Sequence, residues 1–265
     1  MPHFAANLTM LWTELEPFDR FHAAAAAGFH EVEMLFPHEL DPVRLERELS
    51  QLGLQMVLFD PAAGNWSAGE RGLMCLPERG AEFMSSLESA LDLARRLGTQ
   101  KLNILAGVPP ASFPSDVTRT ILAENLLRAA DLANDSGIEV LLENINTTDV
   151  PGYPVSTVDI ASEITSRTGA ANVGLQLDQY HATMEGENAV DVLRRYFSRI
   201  GHVQIADVPG RHQPGTGKAP IAELLAELDR EGYKGFVGLE YRPLGSTDES
   251  LAWTAPYLQS ARNSD

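Results

Sequence analysis

Cysteine is nearly absent. Cys75 is the only thiol in 265 residues, so no intrachain disulfide can form and a reducing compartment is expected. A nucleophilic role for Cys75 would need an activating base, and none is recognisable near it, so it reads as a small apolar filler. Positive charge is also scarce. The chain has 20 Lys and Arg against 37 Asp and Glu, a net charge of −17, and no basic run. Nucleic acid is a polyanion that needs clustered cations, so that partner class is excluded. No stretch is long and apolar enough to span a bilayer, so no membrane partner is expected. The opening MPHFAANLTM has neither a basic flank nor a long apolar segment. No signal peptide is therefore expected, and the cytoplasm is the expected location. The first strand also lacks the glycine-rich turn of a dinucleotide site, which counts against an open doubly wound sheet.

Present throughout is an alternation of short apolar runs with longer helical patterns. The runs are HFAANLTM, EVEML (31–35), LQMVLFD (54–60), KLNILAG (101–107), IEVLLEN (138–144), VGLQLD (173–178), HVQIAD (202–207) and FVGLEY (236–241). Helical patterns lie between them, near 18–27, 42–52, 78–97, 115–136, 156–167, 188–196 and 221–231. A last helix is expected over about 248–259, and Ser115 is a candidate helix cap. Continuous Val, Ile and Leu suit parallel strands buried on both faces. Eight strand–helix units and no linker predict a single (β/α)8 TIM barrel over residues 1–265.

Reactive groups in such barrels sit at the C-terminal strand ends. The fifth run ends at Glu143 and the sixth at Asp178; the seventh carries Gln204 and Asp207, and the eighth Glu240. Adjacent strands lie about 4.8 Å apart, so these side chains can converge. Carboxylates crowded in a low-dielectric mouth must take up protons or hold a cation. All-oxygen donors favour a hard ion, so Mn²⁺ or Mg²⁺ is expected over Zn²⁺.

These residues carry a resemblance. FAANLTMLW, GFHEVEMLFP, AAGNWSAGERG, ENIN, QLDQYH, GHVQIAD, PGTG and GLEYRP together resemble the hydroxypyruvate isomerase family, within the xylose-isomerase-like barrel superfamily. The similarity covers nearly the whole chain. It implies that Glu143, Asp178, Gln204 and Glu240 bind the metal, and that Glu143 and Glu240 also transfer the proton. Ketose epimerases have a histidine where this chain has Gln204, which favours the isomerase branch.

The implied reaction interconverts hydroxypyruvate and 2-hydroxy-3-oxopropanoate through an enediolate. A 2-oxo-tetronate isomerase and a ketose 3-epimerase are the alternatives. An abasic-site endonuclease would need a histidine-rich zinc cluster and a basic face, and both are missing. A binding protein would not need paired glutamates. A small hydroxy-oxo acid is thus the expected partner, with a homo-oligomer compatible with the sequence. Its carboxylate needs a cation, for which Arg211, Arg71 and Arg242 are candidates, and His181 is a candidate for the substrate's oxygens. His202 lies beside Gln204 and reads either as inward-facing or as a core histidine, and Glu33 is placed to face the mouth. Trp12, Phe59, Trp66 and Tyr241 are candidate walls of the pocket.

Overall fold

The computed structural model describes residues 3–257. Eight strands form a closed parallel barrel in chain order. They are β1 (His3–Asn7), β2 (Glu31–Met34), β3 (Gln55–Phe59), β4 (Lys101–Asn103), β5 (Glu139–Glu143), β6 (Val173–Asp178), β7 (Ile200–Ile205) and β8 (Phe236–Leu239). Parallel neighbours require a crossover, and helices provide it. These are α1 (Pro17–Ala26), α2 (Pro42–Leu52), α3 (Gly80–Leu97), α4 (Ser115–Asn134), α5 (Val158–Thr168), the pair α6 (Gln179–Met184) and α7 (Ala189–Tyr196), α8 (Ile221–Glu231), and α9 (Thr247–Ser250) after β8. The expected TIM barrel is therefore the fold.

The main core lies between the strands' outward faces and the helices. Val32, Phe59, Leu142 and Leu177 belong to the same buried cluster as Phe21, Leu45 and Leu87 of the helices. Each such side chain contributes roughly 1.5–3 kcal/mol by leaving water. The inward faces are different. Ala5, Leu58 and Leu141, from β1, β3 and β5, form a separate small apolar cluster. Side chains alternate along a strand, so two residues further on the same face comes round again. At that level stand Asn7, Asp60 and Glu143, all buried. The apolar barrel floor thus gives way to a polar layer at the mouth. Gly238 on β8 helps to make room for it, since a β-carbon there would collide with the Glu33 carboxylate.

Three local expectations are corrected. Ser115 is the first residue of α4; the cap position is Pro114, which offers no side-chain acceptor. The pattern after Asp248 is not one helix: α9 ends at Ser250 and a 3₁₀ turn follows at Ala252–Thr254. Its expected end at Gln259 lies outside the described residues. The fourth strand stops at Asn103 instead of Gly107, because the chain leaves the ladder and Ala106 pairs with Gly72 of the preceding loop.

Candidate active site

The polar layer opens into a cavity of about 490 Å³ at the C-terminal ends of the strands. Glu143 ends β5, Gln204 comes from β7, and Glu240 follows β8 directly; all three line this cavity. Asp178 ends β6 in register with Gln204 and is almost fully buried just behind them. Its two oxygens have separate roles. Oδ1 caps α6 by accepting the His181 main-chain N–H at 3.1 Å, while Oδ2 accepts from Arg211 Nη2 at 3.1 Å. The same Nη2 donates to Glu240 Oε2 at 2.6 Å. One guanidinium therefore joins two of the carboxylates that the sequence assigned to a cation. The Arg211 backbone is in the left-handed region, with φ 54°. It is held there by the Arg242 N–H, which donates to the Arg211 carbonyl at 2.7 Å.

Asp207 has a different position from the one expected. It does not line the cavity. Its carboxylate accepts main-chain N–H groups of Val208, Gly215, Gly217 and Ala219 at 2.8–2.9 Å. It thus ties down the loop that carries Arg211.

His181 is buried and lines the cavity. Its Nδ1 accepts the Asn146 main-chain N–H at 3.2 Å, so the ring proton sits on Nε2, which lies 3.5 Å from Asp178 Oδ2. Burial and the Arg211 charge push its pKa well below the ordinary imidazole value, so the ring is neutral. Arg71 lines the other side of the cavity, its guanidinium 3.9 Å from the centre of the Trp66 ring. Of the candidate aromatic walls Trp66 lines the cavity, while Trp12, Phe59 and Tyr241 are packed in the core. Cys75 is core as well, with burial pushing its thiol up to about 12.

Below the rim lies a second polar tier. Glu33 accepts from Asn7 Nδ2 at 2.9 Å and Gln204 Nε2 at 2.8 Å, and its other oxygen lies 2.7 Å from His202 Nε2. Gln204 Oε1 accepts from Gln176 Nε2 at 2.6 Å. His202 therefore faces the barrel interior. Asn103 Nδ2 donates to Glu143 Oε2 at 2.7 Å.

The electrostatics follow from crowding. Burial, with the charges of Glu240, Asp178 and Asp60 added, pushes the Glu143 carboxyl well above the usual range despite Arg211. Burial also pushes Glu240 up to about 8, against the pull of Arg211. Asp178 is raised by burial, and Asp60 is raised strongly by burial and Glu240. For Arg211 burial alone would lower the pKa, but Glu240, Asp178 and Glu143 raise it.

Residues 21–257 match the xylose isomerase-like TIM barrel family. The chain belongs to that family. Among its relatives, the 2-oxo-tetronate isomerase of Cupriavidus necator is 44% identical over 97% of this chain and 99% of its own. The hydroxypyruvate isomerase of Escherichia coli is 39% identical over 97% and 100%. A solved structure described as an AP endonuclease, family 2, from Brucella melitensis superposes with a TM-score of 0.94 at 38% identity, covering 97% of this chain and 99% of that one.

The donor set of this family member suits a cation. One possible ligand atom from each of Glu143, Asp178 and His181 lies within 4.8 Å of the other two. The Arg211 guanidinium already sits between Asp178 and Glu240 as a built-in positive charge. His181 fits less well as a ligand, because its Nδ1 is engaged and its Nε2 carries the proton. The sequence reading passed over Asn7, Asp60, Asn103 and Gln176. Asp60 closes the third apolar run as Glu143 closes the fifth, so the same strand-end rule points to it, whereas the neutral Asn7 and Asn103 do not stand out. Gln176 stands two residues before Asp178 and so shares its face.

Proposed function

We propose that this enzyme is an isomerase that moves a proton between the second and third carbons of a short 2-oxo-3-hydroxy acid. Hydroxypyruvate is the simplest such substrate, and 2-hydroxy-3-oxopropanoate its product. Glu143, Asp178, Gln204 and Glu240 would hold a divalent metal, Mn²⁺ or Mg²⁺. When bound, such an ion supplies Lewis acidity that polarises the substrate carbonyl and acidifies the adjacent C–H.

The chain's own groups do the rest. Glu143 and Glu240 come from strands at the two ends of a four-strand arc, a separation that suits flanking the two reacting carbons. One accepts the proton from C3 and the other returns one to C2, while the hydroxyl proton passes from O3 to O2, so that the C2 carbonyl becomes a hydroxyl and C3 a carbonyl. The enediolate between these steps needs its oxygens hydrogen-bonded, and the Nε2–H of His181 and the Arg211 guanidinium are at hand for this. The observation that carries the reading is the pair of buried glutamates that line one cavity, Glu143 at the end of β5 and Glu240 just past β8, with Arg211 bridging Glu240 to Asp178.

A four-carbon substrate, a 2-oxo-tetronate, is the second reading. The cavity of about 490 Å³ has room for another carbon, and the Cupriavidus necator relative is named for that activity. The test is a substrate panel on chelated protein, with Mn²⁺ or Mg²⁺ added back, followed by proton NMR in D₂O. Metal-dependent turnover of either acid, with deuterium entering at carbon, is expected. Full activity after exhaustive chelation, with no metal by elemental analysis, would refute the metal dependence; no turnover of either acid would refute the substrate class.

A further inference from the structure

Three arginines line the cavity: Arg71, Arg211 and Arg242. They are not equivalent. Arg211 is compensated in charge, since its Nη2 is hydrogen-bonded to both Asp178 and Glu240, although its Nε has no partner among the described residues. Arg242 is exposed, and its side chain makes no hydrogen bond or ion pair among the described residues. Arg71 is half-buried and clamped. Its Nη1 donates to the main-chain carbonyls of Trp66 at 3.1 Å and Glu70 at 2.7 Å, and its guanidinium stacks on the Trp66 ring. No carboxylate among the described residues pairs with it, and its Nε and Nη2 make no hydrogen bond there.

The neighbouring acid is diverted. Glu70 pairs through Oε1 with Arg79 and accepts the Asn65 N–H through Oε2. The loop itself is rigid. The Arg71 carbonyl accepts the Gly107 N–H at 3.0 Å, and Cys75 N–H donates to the Ala106 carbonyl at 2.8 Å. Gly72 allows this close approach, because a β-carbon there would collide with the Leu105 carbonyl. A fixed, uncompensated guanidinium with free donors on the wall of a reaction cavity is a receptor for a carboxylate.

We propose that Arg71 receives the substrate's carboxylate and so makes this site selective for acids over neutral sugars. This rests on the reading of the chain as an isomerase of short oxo acids. The cations then divide between the two ends of the substrate. Arg211 serves the reacting end, and Arg71 holds the end that does not react.

The experiment measures binding apart from turnover, by isothermal titration of the Mn²⁺-loaded protein with D-glycerate, a short hydroxy acid that has no oxo group to isomerise. Arg71→Gln is expected to weaken glycerate about 10–100-fold, the loss of a charge-assisted pair. Arg71→Lys, which keeps the charge but not the fork, should fall between, and Arg242→Gln should lose less affinity than either Arg71 variant. Thermal melts check that each variant is folded. In kinetics with hydroxypyruvate the Arg71→Gln defect should appear in KM more than in kcat. Undiminished glycerate binding by both folded Arg71 variants overturns the assignment, as does a loss confined to Arg242→Gln. If wild type binds glycerate, Arg71→Gln does not, and no oxo acid is turned over, the carboxylate assignment stands while the isomerase reading falls. If wild type binds no glycerate, the carboxylate assignment falls, while turnover of the oxo acids alone decides the isomerase reading.

Discussion

In the proposed mechanism Glu143 and Glu240 each carry two demands, a ligand's charge and a base's proton affinity. Glutamine keeps the size and one oxygen but cannot accept a proton. Glu143→Gln and Glu240→Gln are each expected to lower kcat by more than the roughly 10²–10⁴-fold credited to a general base, because cation affinity falls as well. Removing one charge from a crowded buried group should leave the fold intact, and in the cation-free form should stabilise it. The measurement is kcat at saturating Mn²⁺, with thermal melting as the control. A folded, metal-loaded variant with near-wild-type turnover would reduce that glutamate to a ligand.

At the scale of elements, the loop between β7 and α8 depends on one side chain. Asp207 accepts four main-chain N–H groups and thereby fixes the segment that presents Arg211. Asp207→Ala leaves those donors to partial hydration, at a cost of roughly 2–4 kcal/mol given that the loop is only partly buried. Limited proteolysis should cut within 208–217 in the variant and not in the wild type, with kcat falling alongside. Equal protease resistance would show that the loop holds itself. The sequence could not give Asp207 this role. Period-two alternation assigns faces only while a strand lasts, and β7 ends at Ile205. Glu143 and Asp178 end β5 and β6, and Glu240 lies just past β8, as the same rule expects. An acid closing an apolar run is conspicuous there. Asn7 and Asn103 occupy equivalent places on β1 and β4, but asparagine after a strand reads as an ordinary turn residue. The Arg211 bridge to Asp178 and Glu240 spans 33 and 29 residues, so no local pattern announces it. The broken last helix is similar, since its pattern is helical but its packing is tertiary.

For the whole molecule, the buried acids set the pH response. Glu143, Asp178, Asp60 and Glu240 all have raised pKa values in the fold, Glu240 to about 8. The folded state therefore keeps protons that the unfolded chain loses above an ordinary carboxyl pKa of about 4. Their contribution to stability is fully present below that value and is lost as pH rises through the folded-state values. The net charge of −17 acts in the same direction. Chelated protein should therefore melt at a lower temperature at pH 8.5 than at pH 5.5. Added Mn²⁺ should raise Tm more at the higher pH, where the ligands are deprotonated. Calorimetry at the two pH values checks both parts. A Tm that rises with pH in the chelated protein would mean that these acids are not crowded.

Asp178 joins two histories in one codon. One oxygen begins a helix, and the other accepts from the Arg211 guanidinium at the proposed reaction centre. Asparagine caps a helix about as well as aspartate does. A single-base change from Asp to Asn would keep α6 and remove the charge. On the proposed function this barrel is thus one mutation from a folded protein without its chemistry, and a folded, inactive descendant is one mutation from regaining it. Loss and recovery of the activity along a lineage need not pass through an unfolded ancestor.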